Sequence, residues 1–215
     1  MANNELHTLQ PLDAAPSRPG PLLLVIADGF GCASAGPSNA ITEADTPRID
    51  AIMASRLSTE LLAHGPAVGL PTDGDMGNSE VGHNALGAGR IFEQGAKLVN
   101  KAISSGSMFH ADTWASVVES GRQGTLHFIG LHSDGNVHSH TDHLYAMLRQ
   151  AAKEGVTDCA IHILHDGRDV APRSALPYIA ATEQVLSEIN TANDANFRIA
   201  SGGGRMTITL SLIHI

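Results

Sequence analysis

Ser79 stands where glycine-rich backbone meets a helix start, in the stretch Gly74-Asp75-Met76-Gly77-Asn78-Ser79-Glu80-Val81-Gly82-His83-Asn84-Ala85-Leu86-Gly87-Ala88-Gly89-Arg90. The spacing predicts a helix over Glu80 to Leu86, capped by Asn78 or Ser79. The bare N–H groups of such an end attract phosphate and favour a deprotonated oxygen. A serine hydroxyl is a poor nucleophile at neutral pH, so it needs a neighbouring base or a metal to hold the alkoxide. A metal-ligating carboxylate is on offer upstream. The continuous apolar run Leu22 to Ala27 ends in Asp28-Gly29, which reads as a buried parallel strand with Asp28 at its C-terminal edge, where open α/β sheets bind ligands. Read singly, Asp28-Gly29 is a turn and Ser79 a cap. It is their combination that points to phosphoryl chemistry.

Three further segments carry ionisable side chains near expected strand ends: Leu131 to His140 (LHSDGNVHSH), His165 to Asp169 (HDGRD) and Ser201 to Arg205 (SGGGR). The guanidinium of Arg168 can bind carboxylate or phosphate bidentately. Asp169, beside such an anion, is better read as a general acid or base for a hydroxyl proton. His138, His140 and His143 have spacing that could ligate a metal from a strand-to-helix corner, although residues two and three apart do not share one helical face. The competing reading makes His140 and His143 polar residues of a first helical turn.

Together these motifs, from about Leu22 to Thr209, resemble the cofactor-independent phosphoglycerate mutases, members of the alkaline-phosphatase-like superfamily. The resemblance implies that a phosphatase-like domain is split by an inserted transferase domain. Residues 1–20 would then be a loose polar leader, 21–92 the first part of the split domain, and 93–215 most of the insert. It implies a metal held partly by Asp28 and Ser79. Ser79 would take the phosphoryl group of a phosphoglycerate as phosphoserine, and His138, Arg168, Asp169 and Arg205 would hold the glycerate, with Asp169 also managing the proton. The result is interconversion of 3-phosphoglycerate and 2-phosphoglycerate without bisphosphoglycerate. Manganese is the expected ion, two in the complete enzyme, with magnesium and cobalt as the other candidates. The second half of such an enzyme supplies further Asp and His ligands, a lysine and more arginines, so this chain alone is expected to be inactive. A metal-dependent phosphatase or sulfatase-type hydrolase of the same superfamily is the alternative. Position 211, where the pattern would place another substrate arginine, carries Ser211. Residues 210–215 therefore read as non-native, matching a translated transposon-adapter end.

The elements that must position these residues alternate between short apolar runs and helical periods. Helices are expected from Thr46-Pro47 through Ala54, over Gln94 to Ser105, His140 to Glu154 and Ser174 to Ile189. Strands are expected at Ala67 to Leu70, Leu126 to Leu131, Cys159 to Leu164 and Phe197 to Ala200. This rhythm predicts an α/β fold with parallel or mixed sheets covered by helices. The chain has 215 residues, 42% of them hydrophobic, which is ample for a core. A net charge of −9 argues against binding by neutralisation of a nucleic-acid backbone. The partner expected is a small molecule, phosphoglycerate, with neither nucleic acid nor membrane, and a monomer is the expectation for the complete enzyme. Cys32 and Cys159 make no disulfide framework, there is no signal-peptide pattern, and no apolar run is long enough to span a bilayer. The cytoplasm is the expected compartment.

Overall fold

The computed structural model describes residues 19–27, 30–56 and 58–208. Asp28 and residues 209–215 therefore lie outside the described residues. The chain divides into two compact units, Met1–Ser55 and Arg56–Ile215.

The first unit contains two short helices, α1 (Ala40–Glu43) and α2 (Pro47–Met53), neither with a buried residue. Asn39 caps α1 by accepting from the Ile41 N–H. Pro47 occupies the first turn of α2, where its missing N–H costs nothing. The strand expected at Leu22 to Ala27 is not formed. The run is irregular, and its side chains are exposed, from 95% at Leu22 to 49% at Ile26. A strand holds its shape through ladder hydrogen bonds, and among the described residues none is offered to this segment.

The second unit is built on β1 (Leu126–His132), β2 (Asp158–His165) and β3 (Asn196–Gly204), all parallel in the order β1-β2-β3. Before them come α3 (Ser79–Ala88), α4 (Gly95–Ser104) and α5 (Asp112–Arg122). α6 (Thr141–Lys153) and α7 (Ala175–Asn193) are the crossovers, and α8 (Arg205–Ile208) follows β3 directly. α5 was not anticipated, because Ser116, Glu119, Ser120 and Gly121 dilute its apolar stripe. It nonetheless buries Trp114 and Val118. The stretch Ala67 to Leu70, expected as a strand, belongs instead to a 3-10 turn over Gly65–Val68 that Gly69 ends at φ 87°. Val68 and Leu70 are apolar because they pack with Val81 of α3, in a small cluster of their own.

Alternation along the strands sends Leu126, Cys159, Ile161, Ile163 and Phe197 into one core with Leu148 and Ala151 of α6 and Val185, Leu186 and Ile189 of α7. Full burial of such a side chain is worth roughly 1.5–3 kcal/mol. The opposite face carries His127, Ile129, His162, Arg198 and Ser201, and Ile129 is 73% exposed there. Side chains of consequence are thus concentrated at the C-terminal strand ends and on this open face.

Candidate active site

Ser79 is the first residue of α3. Asn78 is the cap, its side chain accepting from the Val81 N–H at 2.9 Å. The approach to the helix is fixed by Gly77, where a Cβ would come within 2.2 Å of the Ala63 carbonyl oxygen. Ser79 is exposed, and its hydroxyl lies 3.2 Å from His83 Nδ1. That imidazole is not set up as its base. The same Nδ1 is 2.7 Å from the Ser79 carbonyl oxygen, which can only accept, so the nitrogen carries the hydrogen. The geometry therefore leaves Ser79 with an accessible hydroxyl and no proton acceptor from His83.

The strand ends hold a denser cluster, organised by Asp166, which the sequence reading passed over. Its Oδ1 accepts from the backbone N–H groups of Arg168 and Asp169, both at 3.0 Å, and from Arg205 at 3.0 Å. Its Oδ2 accepts from the Ser133 hydroxyl at 2.6 Å. Burial works to raise the Asp166 pKa, but the Ser133 hydroxyl, the two N–H groups and Arg205 hold it well below the usual carboxylate range. Arg205 is buried and clamps both Asp166 and Asp169, the latter at 2.5 Å. Burial opposes the Arg205 charge, yet the bonds to Asp169 and Asp166 raise its pKa further. His138 Nε2 is 3.9 Å from Asp169 Oδ2. The structure thus gathers His138, Asp169 and Arg205, while Arg168 is exposed on the same loop.

The segment between β1 and α6 is pinned along its length. Ser139 donates to the Leu131 carbonyl at 2.6 Å, Tyr178 donates to Asp134 at 2.5 Å, and Thr141 N–H donates to the Ser133 carbonyl at 3.0 Å. Gly135 permits the loop to lie on its neighbour, since a Cβ there would sit 3.2 Å from Asp169 Cβ. Asn136 donates to buried Asp75 at 2.5 Å, so the loop preceding Ser79 is tied to the His138 segment. Burial would raise the Asp75 pKa, but hydrogen bonds from Thr72 and Asn136 lower it. A cleft of about 520 Å³ lies at this junction, lined by Thr72, Asp75, Asp134, Asn136 and His140.

The histidine-metal reading finds no support in this geometry. His140 caps α6 by accepting from Asp142 N–H at 3.1 Å, and His143 Nε2 pairs with Asn100 at 2.5 Å. Among the described residues no group of three His, Cys, Asp or Glu could hold a metal ion. Behind the cluster, His132 is buried at the end of β1 with Nε2 2.7 Å from the Thr182 hydroxyl. Burial, together with neighbouring His165, pushes its pKa down to about 4. Burial pushes the Cys159 thiol up to about 12, consistent with an inert core residue.

Comparison with known proteins agrees with these motifs. Residues 99–210 match the family described as BPG-independent PGAM N-terminus. A probable 2,3-bisphosphoglycerate-independent phosphoglycerate mutase of Leptospira interrogans is 49% identical over 193 residues, covering 88% of this chain and 35% of that protein. The 2,3-bisphosphoglycerate-independent phosphoglycerate mutase of Mesembryanthemum crystallinum is 47% identical over 191 residues, covering 88% and 34%. A phosphoglycerate mutase of Leishmania mexicana, crystallised at low cobalt concentration, superposes with a TM-score of 0.73 at 43% identity, covering 82% of this chain and 33% of that one. The chain therefore spans about a third of the length of the relatives it matches.

Proposed function

Given that this chain belongs to the BPG-independent PGAM N-terminus family, we propose that it is the part of a phosphoglycerate mutase that carries the nucleophile and the glycerate-binding loops. The observation that carries the reading is the strand-end cluster, in which Asp166 fixes the Arg168 and Asp169 backbone while Arg205 clamps Asp169. In the complete protein Ser79 Oγ attacks the phosphorus, a P–O bond to one glycerate hydroxyl breaks, and that oxygen takes a proton. The retained glycerate then presents its other hydroxyl, whose oxygen takes the phosphoryl group back from Ser79. Asp169 gives and receives the hydroxyl proton, while His138 and Arg168 hold the anionic groups. Arg205 contributes by keeping Asp169 in place and by its positive charge beside the substrate. Residues 21–92 would form part of the phosphatase-like domain and residues 93–215 most of the insert.

The donors this chain offers to a metal are the accessible Ser79 hydroxyl and Asp28, hard oxygen groups that suit manganese, magnesium or cobalt. Manganese bound there would stabilise the serine oxyanion and the charge on the transferring phosphoryl group. Bisphosphoglycerate has no role in this scheme. A cytoplasmic setting agrees with two cysteines that are both free thiols, and no helix of the described residues is long and apolar enough to cross a membrane. We infer a monomeric complete enzyme, and no nucleic-acid partner for this chain, the latter in keeping with its net charge of −9.

The test is to incubate the complete protein with 3-phosphoglycerate and manganese and to map the phosphorylated residue by mass spectrometry. Phosphate on Ser79, with 2-phosphoglycerate as product, is the expected result. Stoichiometric release of inorganic phosphate would instead establish a hydrolase, and phosphate on another residue would remove Ser79 from its role. The 215-residue chain alone should not isomerise 3-phosphoglycerate.

A further inference from the structure

His83 stands one helical turn beyond Ser79 on α3, and the proposed mutase chemistry has so far given it no part. Its Nδ1 is 2.7 Å from the Ser79 carbonyl oxygen and 3.2 Å from the Ser79 hydroxyl oxygen. The carbonyl can only accept, so Nδ1 carries the hydrogen, and one N–H faces both oxygens of the same residue. Side chains of a helix lean toward its N-terminus, so the residues that cover Ser79 are those three and four positions on, Gly82 and His83. Gly82 has no side chain to cover it with. A Cβ there would meet no atom within 4 Å, so packing does not call for glycine at a helix position where glycine is unfavourable. The space over the Ser79 oxygen is thus bordered by bare backbone on one side and by an N–H donor on the other, and both Ser79 and His83 are exposed to an approaching substrate.

We propose that His83 is a catalytic hydrogen-bond donor, whose Nδ1–H stabilises the Ser79 oxyanion during phosphoryl transfer. This role rests on the mutase reading and adds to it a residue that touches the reacting oxygen. His83 does not remove the serine proton, which leaves to solvent before attack. As negative charge gathers on Oγ, a small turn of the ring moves the N–H from the carbonyl to the oxyanion, where a charge-assisted bond is shorter and stronger. The carbonyl it leaves has the backbone donor of an ordinary helical turn. When the Oγ–P bond forms, the bond from phosphorus to the glycerate oxygen breaks, the electron pair stays with that oxygen, and Asp169 protonates it. On the return, Asp169 takes the proton of the other glycerate hydroxyl, that oxygen bonds to phosphorus, and the electron pair of the broken Oγ–P bond comes back to Oγ, again facing the His83 N–H. The ring keeps its hydrogen throughout.

The test compares H83L and H83N in the complete protein with manganese. Leucine keeps much of the bulk of the ring and removes the N–H, whereas asparagine places an amide nitrogen where Nδ1 was and keeps a donor. Rapid-quench mass spectrometry follows phosphoserine at Ser79, alongside steady-state turnover of 3-phosphoglycerate, manganese content and thermal melting. Loss of a fully enclosed oxyanion donor slows an enzyme by about 10²–10³, and for this exposed donor H83L should slow both phosphoserine formation and kcat roughly tenfold. KM should stay within about twofold, because the bond strengthens only as charge develops. Manganese content and melting temperature should match the parent, and H83N should recover most of the lost rate. Nitrogen NMR of the parent imidazole supplies a reading that needs no variant: the neutral ring should carry its hydrogen on Nδ1. Hydrogen on Nε2, H83L forming phosphoserine as fast as the parent, or H83N as slow as H83L would each overturn the proposal and leave the mutase reading standing. A parent that forms no phosphoserine at Ser79 would overturn both.

Discussion

The serine corner and the strand-end cluster differ in how much of each is built by the residues around it. At the strand ends every carboxylate has a role: Asp166 accepts from Ser133, Arg205 and two backbone N–H groups, and Arg205 holds Asp169 as well. At the serine corner Asn78 caps α3, but the side chain that hydrogen-bonds the Ser79 hydroxyl among the described residues is His83, which is polarised the wrong way to take its proton. The strand-end loops are therefore pre-organised by hydrogen bonds within the unit. On the proposed chemistry, activation of Ser79 calls on donors other than these, as a metal-dependent serine would require.

Substitutions that attack the cluster should cost far more stability than any at the serine. Asp166→Ala leaves the Arg205 charge buried with one partner fewer, frees the Ser133 hydroxyl, and strips the acceptor from two N–H groups. Breaking a buried ion pair in this way costs about 3–5 kcal/mol, and a chain of this size should melt roughly ten degrees lower or more. Thermal unfolding followed by circular dichroism measures it. A shift no larger than that of an exposed substitution would mean that Asp166 organises nothing.

Acid should separate the two regions next. The folded-state pKa of His132 is about 4, against 6.5 for the free side chain, so the neutral form is the one the fold accommodates. Its contribution to stability is fully present above pH 6.5 and is lost as pH falls from there toward 4, by about 3 kcal/mol in all. Asp166 and Asp75 have folded-state values below the ordinary 3.8, so theirs is present above about pH 4 and lost only under it. Because His132 directly precedes Ser133, amide exchange at residues 133–140 should quicken before that of α3 when the pH is lowered from 7 to 5. His132→Leu should flatten the dependence in this window. An unchanged slope would show that the orphaned Nδ1 of His132 is already partnered in solution.

Gly77→Ala probes the serine corner itself. Its Cβ would fall 2.2 Å from a backbone oxygen, so the chain entering α3 has to move. Overpacking of this kind costs about 1–3 kcal/mol, and it should displace α3 resonances in a nitrogen–proton correlation spectrum while leaving those of β2 and α7 in place. Shifts spreading through the sheet would indicate that the corner is coupled more tightly to the core than its separate hydrophobic cluster implies.

What could be read from the residues follows the range of the forces involved. Helices α4, α6 and α7 announce themselves because their apolar spacing is local, and β1, β2 and β3 because an apolar run between turns has few other uses. Leu22 to Ala27 fits the same template and fails, since a strand is a relation to a neighbour and its own residues cannot supply one. Ala67 to Leu70 is apolar for a different reason, a turn packed under α3. At the site, His138, Arg168 and Asp169 were legible through the motifs they share with a family. Asp166 was not weighed, although an aspartate that accepts from the N–H groups two and three residues on is a recurrent turn device. That Arg205 is spent on two carboxylates could not be foreseen, because its partners lie 39 and 36 residues away.

The smallest stability effect belongs to the residue on which the proposed chemistry rests. Ser79 is exposed, and the capping hydrogen bond comes from Asn78, so Ser79→Ala removes only contacts to a neighbouring surface histidine. Surface changes of this kind stay within about 0.5 kcal/mol, whereas Asn78→Ala should cost about 0.5–2 kcal/mol through loss of the cap. In the complete protein the order reverses. On the proposed chemistry Ser79→Ala deletes the oxygen that takes the phosphoryl group and should leave less than a few per cent of mutase activity, while Asn78→Ala retains that hydroxyl on a less firmly held helix. Melting curves and initial rates for the two variants side by side would measure the contrast. A Ser79→Ala protein that melts with its parent and still converts 3-phosphoglycerate would break the assignment of the serine corner, and an Asn78→Ala protein as inactive as Ser79→Ala would shift the decisive role from the hydroxyl to the helix end that presents it.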